Sequence, residues 1–205
     1  MAEANCWSSV QKHGLLSTTA LLDLFEIKGK ARISLESEHR SESVEIHHPK
    51  FGNAVIRDQK PMRENSLKSC LSGMKPKQWY ETLNGQVFFW LTPERVTTLL
   101  TARAYRGRKH TVLTVDAARL LERHLAKVRL SPINSGSTIY KPQPRGPSTF
   151  HEMSDYPFGE RRKLRGLANA IAEFSVNYAV QDIADLVLRV EHRKGTKILE
   201  ILYER

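Results

Sequence analysis

The residues with the clearest chemical potential lie near the C-terminus. There, Leu167-Ala168-Asn169-Ala170-Ile171-Ala172-Glu173-Phe174-Ser175-Val176 sets one carboxylate among apolar and small side chains. A strand of this composition is expected to be largely buried, and a carboxylate taken out of water is costly unless it is paired or used. Glu173 therefore reads either as a structural acid at a strand edge, partly solvated or paired with an arginine, or as a group that acts on a bound molecule. Just before it comes the basic run Arg161-Arg162-Lys163-Leu164-Arg165, and a second cluster holds Arg103, Arg106, Arg108 and Lys109. Clusters of this kind suit contact with a phosphate backbone. His47-His48 has no Cys or carboxylate set nearby, so no metal site is expected. There is no phosphate-binding glycine loop of the Walker or Rossmann type, no HExxH and no GxSxG, and no serine stands in a nucleophile-elbow context.

These groups need a scaffold, and the composition bounds it. The 205 residues are 40% apolar and 26% charged, as in an ordinary soluble globular chain, and are read as one domain over residues 1–205. Lys and Arg number 32 against 22 Asp and Glu, a net charge of +10 that points to an anionic partner, nucleic acid before a membrane surface. Cys6 and Cys70 lie far apart, with no metal-type spacing, and suit a reducing compartment. With no signal-peptide pattern and no apolar run of spanning length, a cytoplasmic protein without a membrane partner is expected.

Hydrophobic spacing and punctuation supply the elements. Residues 5–13 predict a short helix closed by Gly14, and Ser17-Thr18-Thr19 caps a second through Phe25. Residues 29–50 are charged and weakly periodic, with Val44-Glu45-Ile46-His47 as the only strand-like piece. Helices are predicted over residues 65–71 and over 75–83, the latter with Pro76 in its first turn and Asn84-Gly85 as its stop. Val87-Phe88-Phe89-Trp90-Leu91 is the strongest strand, followed by Thr92-Pro93-Glu94 as the start of a helix to about Ala104. Residues 110–115 form a second clear strand, Asp116 caps a helix to about Leu125, and residues 128–130 form a short strand. A Pro-, Gly- and Ser-rich loop or insert is expected over residues 134–165, and loops this long are usually functional. Strands resume at residues 171–176, 186–190 and 198–203. Helices mainly in the N-terminal half, strands after them and no regular βαβ alternation predict an α+β fold.

The ordered pieces resemble the DarT-like ADP-ribosyltransferases, and an uncharacterised bacterial branch of them. Trp7-Ser8-Ser9-Val10-Gln11-Lys12-His13-Gly14-Leu15-Leu16-Ser17 resembles their opening helix and Gly-Leu-Leu turn. Val87-Phe88-Phe89-Trp90 with Thr92-Pro93-Glu94-Arg95 is similar to their aromatic strand and the turn after it, and Val112 to Val115 fits the next core strand. Ser131-Pro132-Ile133-Asn134-Ser135-Gly136-Ser137 stands where that family has a short Asn-containing turn. The basic run followed by Ala172-Glu173-Phe174-Ser175-Val176 resembles the strand that carries the family's catalytic glutamate. In that family a His-bearing strand precedes the first helix. Here the chain begins at Met1, just after that position, so either that His belongs upstream of Met1 or the role has moved to His13.

The resemblance implies a split antiparallel β-sheet core and an NAD-dependent transfer of ADP-ribose to a nucleic-acid base, as a toxin or anti-phage effector, with no metal. An antitoxin or an ADP-ribose-removing partner is implied with it. Glu173 and Arg57 are the implied catalytic pair, the carboxylate acting on the nicotinamide ribose and the arginine fork on the pyrophosphate. His13, Gly14, Leu15, Ser17, Phe89, Trp90, Arg95, Asn134 and Ser135 are the implied NAD contacts. Arg106, Arg108, Arg161, Arg162, Lys163 and Arg165 are expected to meet nucleic acid, with Tyr140, Phe150 and Tyr156 placed to stack on an exposed base. An RNA 2′-phosphotransferase-like enzyme on the same fold, or a non-catalytic nucleic-acid-binding module, are the alternatives.

Overall fold

A computed structural model describes Met1–Arg205. The first stretch runs β1 (Ala2–Glu3), α1 (Trp7–His13), β2 (Leu15–Leu16), α2 (Thr18–Leu24), α3 (Gly29–Glu36), β3 (Val44–His48) and β4 (Gly52–Ile56). The middle holds α4 (Glu64–Cys70), α5 (Pro76–Asn84), β5 (Gln86–Phe89), α6 (Pro93–Thr101), β6 (Lys109–Val115), α7 (Ala117–His124) and β7 (Val128–Ser131). The last part holds α8 (Phe158–Arg165), β8 (Glu173–Asn177), β9 (Ala179–Val180), α9 (Ile183–Leu186), β10 (Val187–Lys194) and β11 (Lys197–Glu204). The fold is α+β with several sheets. Its helices are not concentrated in the N-terminal half, because α7, α8 and α9 all follow residue 116. No helix is long and apolar enough to cross a membrane.

The helix starts follow local chemistry. Ser17, Thr92 and Asp116 each accept a hydrogen bond from the amide three residues on, at Ala20, Arg95 and Arg119. Pro76 and Pro93 open α5 and α6, where a missing N–H costs nothing. α3 was not expected, since its residues lack an apolar stripe. Ion pairs hold it instead: Arg32 reaches Asp23 at 2.5 Å and Glu36 at 2.7 Å, and the Asn84 amide donates to the Glu36 carbonyl at 2.7 Å.

The chain forms two compact units. One comprises Met1–Leu15, Phe89–Val128 and Val180–Arg205. Its sheet has the order β1-β6-β10-β11, and all of its pairings are antiparallel. On β10, Glu191 is 2% exposed and lies between Arg189, at 3.0 Å, and Arg193. His192, also buried, meets Glu200 of β11 at 3.1 Å. α1 packs on α9 in this unit, and the position that closes α1 admits only glycine. Gly14 has φ 83° and ψ 178°, and a Cβ there would stand 2.5 Å from the Gln181 Cα and 2.8 Å from the Val180 carbonyl oxygen. Gly14→Ala is therefore expected to cost about 3 kcal/mol, the sum of backbone strain and overpacking, and urea unfolding checks it.

The second unit comprises Leu16–Phe88 and Arg129–Ala179. The hairpin β3–β4 covers a cluster of Leu22, Phe25, Ile46 and Ile56, and a second cluster gathers Met62, Leu67, Trp79, Tyr80 and Leu83. Arg40, 7% exposed, ties α3, the end of β4 and α5 together by donating to the carbonyls of Leu35 and Arg57 and to Asn84 Oδ1 at 2.8 Å. Burial lowers its pKa to about 10. The three-stranded sheet β5-β8-β7 of this unit has β8 at its centre, with Phe174, Ser175 and Val176 buried.

Candidate active site

Glu173 is the first residue of β8, where the strand emerges from the sheet beside the end of β7. The strand starts two residues later than expected, because the Ala172 amide bonds the Ser131 carbonyl at 2.9 Å and regular pairing begins only after it. Ser131 then shapes the chain that leaves β7: its hydroxyl donates to the Ile133 carbonyl at 2.9 Å and accepts from the Ile133 amide at 3.2 Å. That turn brings the Ser135 N–H to Glu173 Oε2 at 3.0 Å.

Ser135 is fully buried, and behind it stands an arginine that sequence reasoning missed. Arg145, 3% exposed, donates from Nη1 to the Ser135 carbonyl at 2.8 Å, from Nη2 to the Ser137 carbonyl at 3.0 Å and from Nε to the Gln143 carbonyl at 3.1 Å. Its guanidinium also lies over the Trp79 ring, 5.7 Å from the centroid. One side chain thus fastens the loop from Ser135 to Gln143 around itself and presents the Ser135 amide to Glu173. The backbone of Arg145 is fixed in turn by Cys70 and Ser72, at 2.9 Å each. Gly146 follows because a Cβ there would stand 2.3 Å from the Ser72 carbonyl oxygen.

The electrostatics of the carboxyl group are a contest. Burial pushes the Glu173 pKa above the ordinary carboxylate range; the Ser135 hydroxyl and amide, the Arg145 charge and the Gly136 amide pull it down, and burial wins. Burial likewise lowers the Arg145 pKa, against the opposing influence of Cys70 and Glu173. A carboxylate held in this way can accept a proton from a bound nucleophile, or face a developing cation without full hydration. A cavity of about 180 Å³ opens on the same loop, lined by Pro132, Ile133, Arg145, Gly146, Thr149 and Ser72.

The basic run folds as a helix, not a loop. Glu160 in its first turn, basic residues in its last and Gly166 at its C-cap (φ 73°) favour α8 as a helix. Arg161 turns inward and donates to the Pro132 carbonyl at 2.7 Å, while Arg162, Lys163 and Arg165 stay exposed. Two of the aromatic residues expected to stack on a base are taken up by packing. Tyr156 is 6% exposed and donates to the Ala170 carbonyl at 2.6 Å, and Phe150 packs on Trp79 and Phe88. Only Tyr140 of the three, 89% exposed, is open.

The remaining expected residues divide between the units. Within the second unit, Asn134 is exposed next to Ser135, and the Ser17 hydroxyl is occupied as the α2 cap while its amide bonds the Tyr178 carbonyl at 2.9 Å. Arg57, half-buried after β4, lends its carbonyl to Arg40. In the first unit, His13 ends α1, Gly14 and Leu15 follow it, and Phe89 and Trp90 are half-buried. Arg95 lies in the first turn of α6, and Arg106 and Arg108 are exposed in the turn before β6. The structure brings together Glu173, Ser135 and Arg161 through the Ser131–Ser135 turn, and adds Arg145. The sequence signal for Arg145 was a lone arginine between Pro144 and Gly146 in a loop that has to be ordered.

Residues 1–187 match the pattern of a protein family described as a family of unknown function (DUF7002). Searches of curated proteins and of solved structures find no match.

Proposed function

The chain belongs to this family of unknown function, and we propose, from the Glu173 site, that it is an NAD-dependent ADP-ribosyltransferase acting on a nucleic-acid base. The observation that carries the reading is Glu173, a carboxyl group raised in pKa by burial yet faced by the Ser135 amide and backed by the Arg145 charge. In the proposed step the glycosidic bond between nicotinamide and the ribose C1′ breaks, and its electron pair leaves with the nicotinamide nitrogen. The oxocarbenium-like carbon is stabilised by the Glu173 carboxylate. A ring or exocyclic nitrogen of the base then bonds to C1′ and gives its proton to Glu173. Within the second unit, which holds Glu173, Arg57 is proposed on the pyrophosphate, and Ser17, Asn134 and Ser135 around the NAD.

The net charge of +10 and the exposed Arg162, Lys163 and Arg165 on α8 support a polyanionic acceptor. Each salt-sensitive phosphate contact steepens the fall of affinity with ionic strength, so charge reversal on α8 should flatten that slope. Incubating the protein with NAD labelled in the adenylate and with single-stranded DNA or RNA tests the reading. Label is expected on the nucleic acid, with one nicotinamide released per label. Absence of nicotinamide release together with absence of label on nucleic acid and on protein would overturn it. Release of a cyclic phosphate of ADP-ribose from a 2′-phosphorylated RNA would instead assign the phosphotransferase chemistry.

A further inference from the structure

The segment that carries Tyr140 is fastened on both sides of it. Before it, Thr138 is buried; its amide donates to the Pro61 carbonyl at 2.9 Å, and its hydroxyl accepts from the Arg63 amide at 2.6 Å and donates to the Arg63 carbonyl at 3.2 Å. After it, the Gln143 side-chain amide donates to the Lys141 carbonyl at 3.0 Å, and Arg145 Nε to the Gln143 carbonyl at 3.1 Å. Between these anchors Lys141 has φ 44°, the left-handed region that residues with side chains avoid, and Pro142 follows it. Backbone strain of this kind persists only where the surroundings fix the chain. A fixed loop thus holds the Tyr140 ring out in solvent, at 89% exposure, where it adds nothing to the packing of the fold. A ring pre-set in this way loses little freedom when something binds to it.

The neighbours of the ring select what binds. Lys141 and Arg63 are both exposed cations, and Arg63 is the residue whose backbone holds Thr138. The nearest carboxylate along the chain from Arg63, Glu64, is engaged by the Tyr80 hydroxyl at 3.1 Å and by Lys68 at 3.3 Å. An aromatic face between two cations, on a chain of net charge +10, matches a base joined to phosphates. The loop also leads to the site. Ser135, whose amide bonds Glu173, precedes Tyr140 by five residues, a reach of at most about 18 Å. A ring on a loop tip stacks only on a base that has left its own stack, which favours a single strand over a duplex.

We infer that Tyr140 is the stacking platform for an unpaired base of a single-stranded nucleic acid, with Lys141 and Arg63 on the phosphates beside it. The inference rests on the proposed nucleic-acid acceptor and narrows that acceptor to single strands. Tyr140 contributes binding energy that does not depend on salt, and the two cations contribute the part that does.

The test uses the full chain without NAD and fluorescein-labelled single strands of DNA and of RNA about 12 nucleotides long, read by anisotropy. Tyr140→Ala is expected to weaken single-strand binding about 5–100-fold. Tyr140→Phe and Tyr140→Trp should stay close to wild type, and Tyr140→Leu should bind as weakly as the alanine variant, because stacking needs a ring. All four should keep the wild-type melting curve, since the side chain is exposed. The slope of log affinity against log salt should be unchanged by Tyr140→Ala and should flatten by about 0.7 in Lys141→Ala and in Arg63→Ala. A strand made of abasic sites should bind wild type and Tyr140→Ala equally. Equal affinity of wild type and Tyr140→Ala for the normal strands overturns the inference, as does full binding by Tyr140→Leu or an equal loss on a duplex of the same sequence. A chain that binds no strand overturns it together with the nucleic-acid acceptor. Tyr140-dependent binding without any nicotinamide release upholds this inference and sinks the transferase reading. Transfer to nucleic acid that Tyr140→Ala leaves unchanged, in affinity and in KM for the strand, does the reverse. A rise in KM for NAD alone would put the adenine of NAD on the ring and also overturn the inference.

Discussion

Glutamine in place of Glu173 is expected to lower the rate of ADP-ribose transfer by about 10²–10⁴-fold, the range for loss of a general base, and at the same time to stabilise the fold in alkali. The two effects share one cause. Burial outweighs the Ser135 and Arg145 contributions and holds the carboxyl above its ordinary range, so the folded chain binds this proton more tightly than the unfolded chain does. The stability contributed by such a group is fully present below the unfolded pKa, about 4.3, and is lost as pH rises through the higher folded value. Glutamine stays neutral throughout and keeps an oxygen for the Ser135 amide. Melting temperatures of the two proteins should converge at about pH 4 and separate, with the variant higher, at about pH 8. A variant less stable than wild type at the higher pH would mean that the amide and the arginine hold the anion more strongly than burial opposes it. A gain in stability with a loss of activity is the pattern of a residue kept for chemistry.

The second large effect is expected at Arg145. Arg145→Met keeps an apolar stem on Trp79 but removes the donors that satisfy the Ser135, Ser137 and Gln143 carbonyls. Ser135 is fully buried, so its carbonyl has no water to turn to. The expected cost is about 3 kcal/mol, read from denaturant midpoints. The loss also takes away a positive charge that pulls the Glu173 pKa down, so the acidic limb of any pH–rate profile should move to higher pH. A merely structural arginine would change the midpoint and leave that limb in place. Arg145→Lys is not expected to rescue either effect, because one ammonium cannot reproduce the planar fork across three carbonyls.

The legibility of the candidate site was uneven. Glu173 stood out from its neighbours alone, since a single acid in an apolar stretch is anomalous wherever the chain folds. Ser135 was found through the turn it shares with Asn134, and the structure brings its amide to Glu173. Arg145 carried no periodic signal, being flanked by Pro144 and Gly146 in irregular chain. Tyr156 and Phe150 were expected to be open because they sit in a loop. The Ala170 carbonyl and the Trp79 ring, both from other elements, draw them inside. The basic run was expected in a loop, whereas Glu160 in the first turn, the basic last turn and the Gly166 stop make α8 a helix.

The sequence by itself determined what depends on neighbours within about four residues: the caps at Ser17, Thr92 and Asp116, the first-turn prolines, the glycine stop at Gly14, and the strand character around Phe174 to Val176. Those groups find their partners before any long loop is closed. The tertiary structure alone decided that α3 is a helix, that Tyr156 is buried, and that the donors facing Glu173 come from the turn at Ser135, 38 residues upstream, with Arg145 behind it. Such contacts form only after distant segments meet, and the order in which a chain lists its residues does not say which carbonyl an arginine will reach.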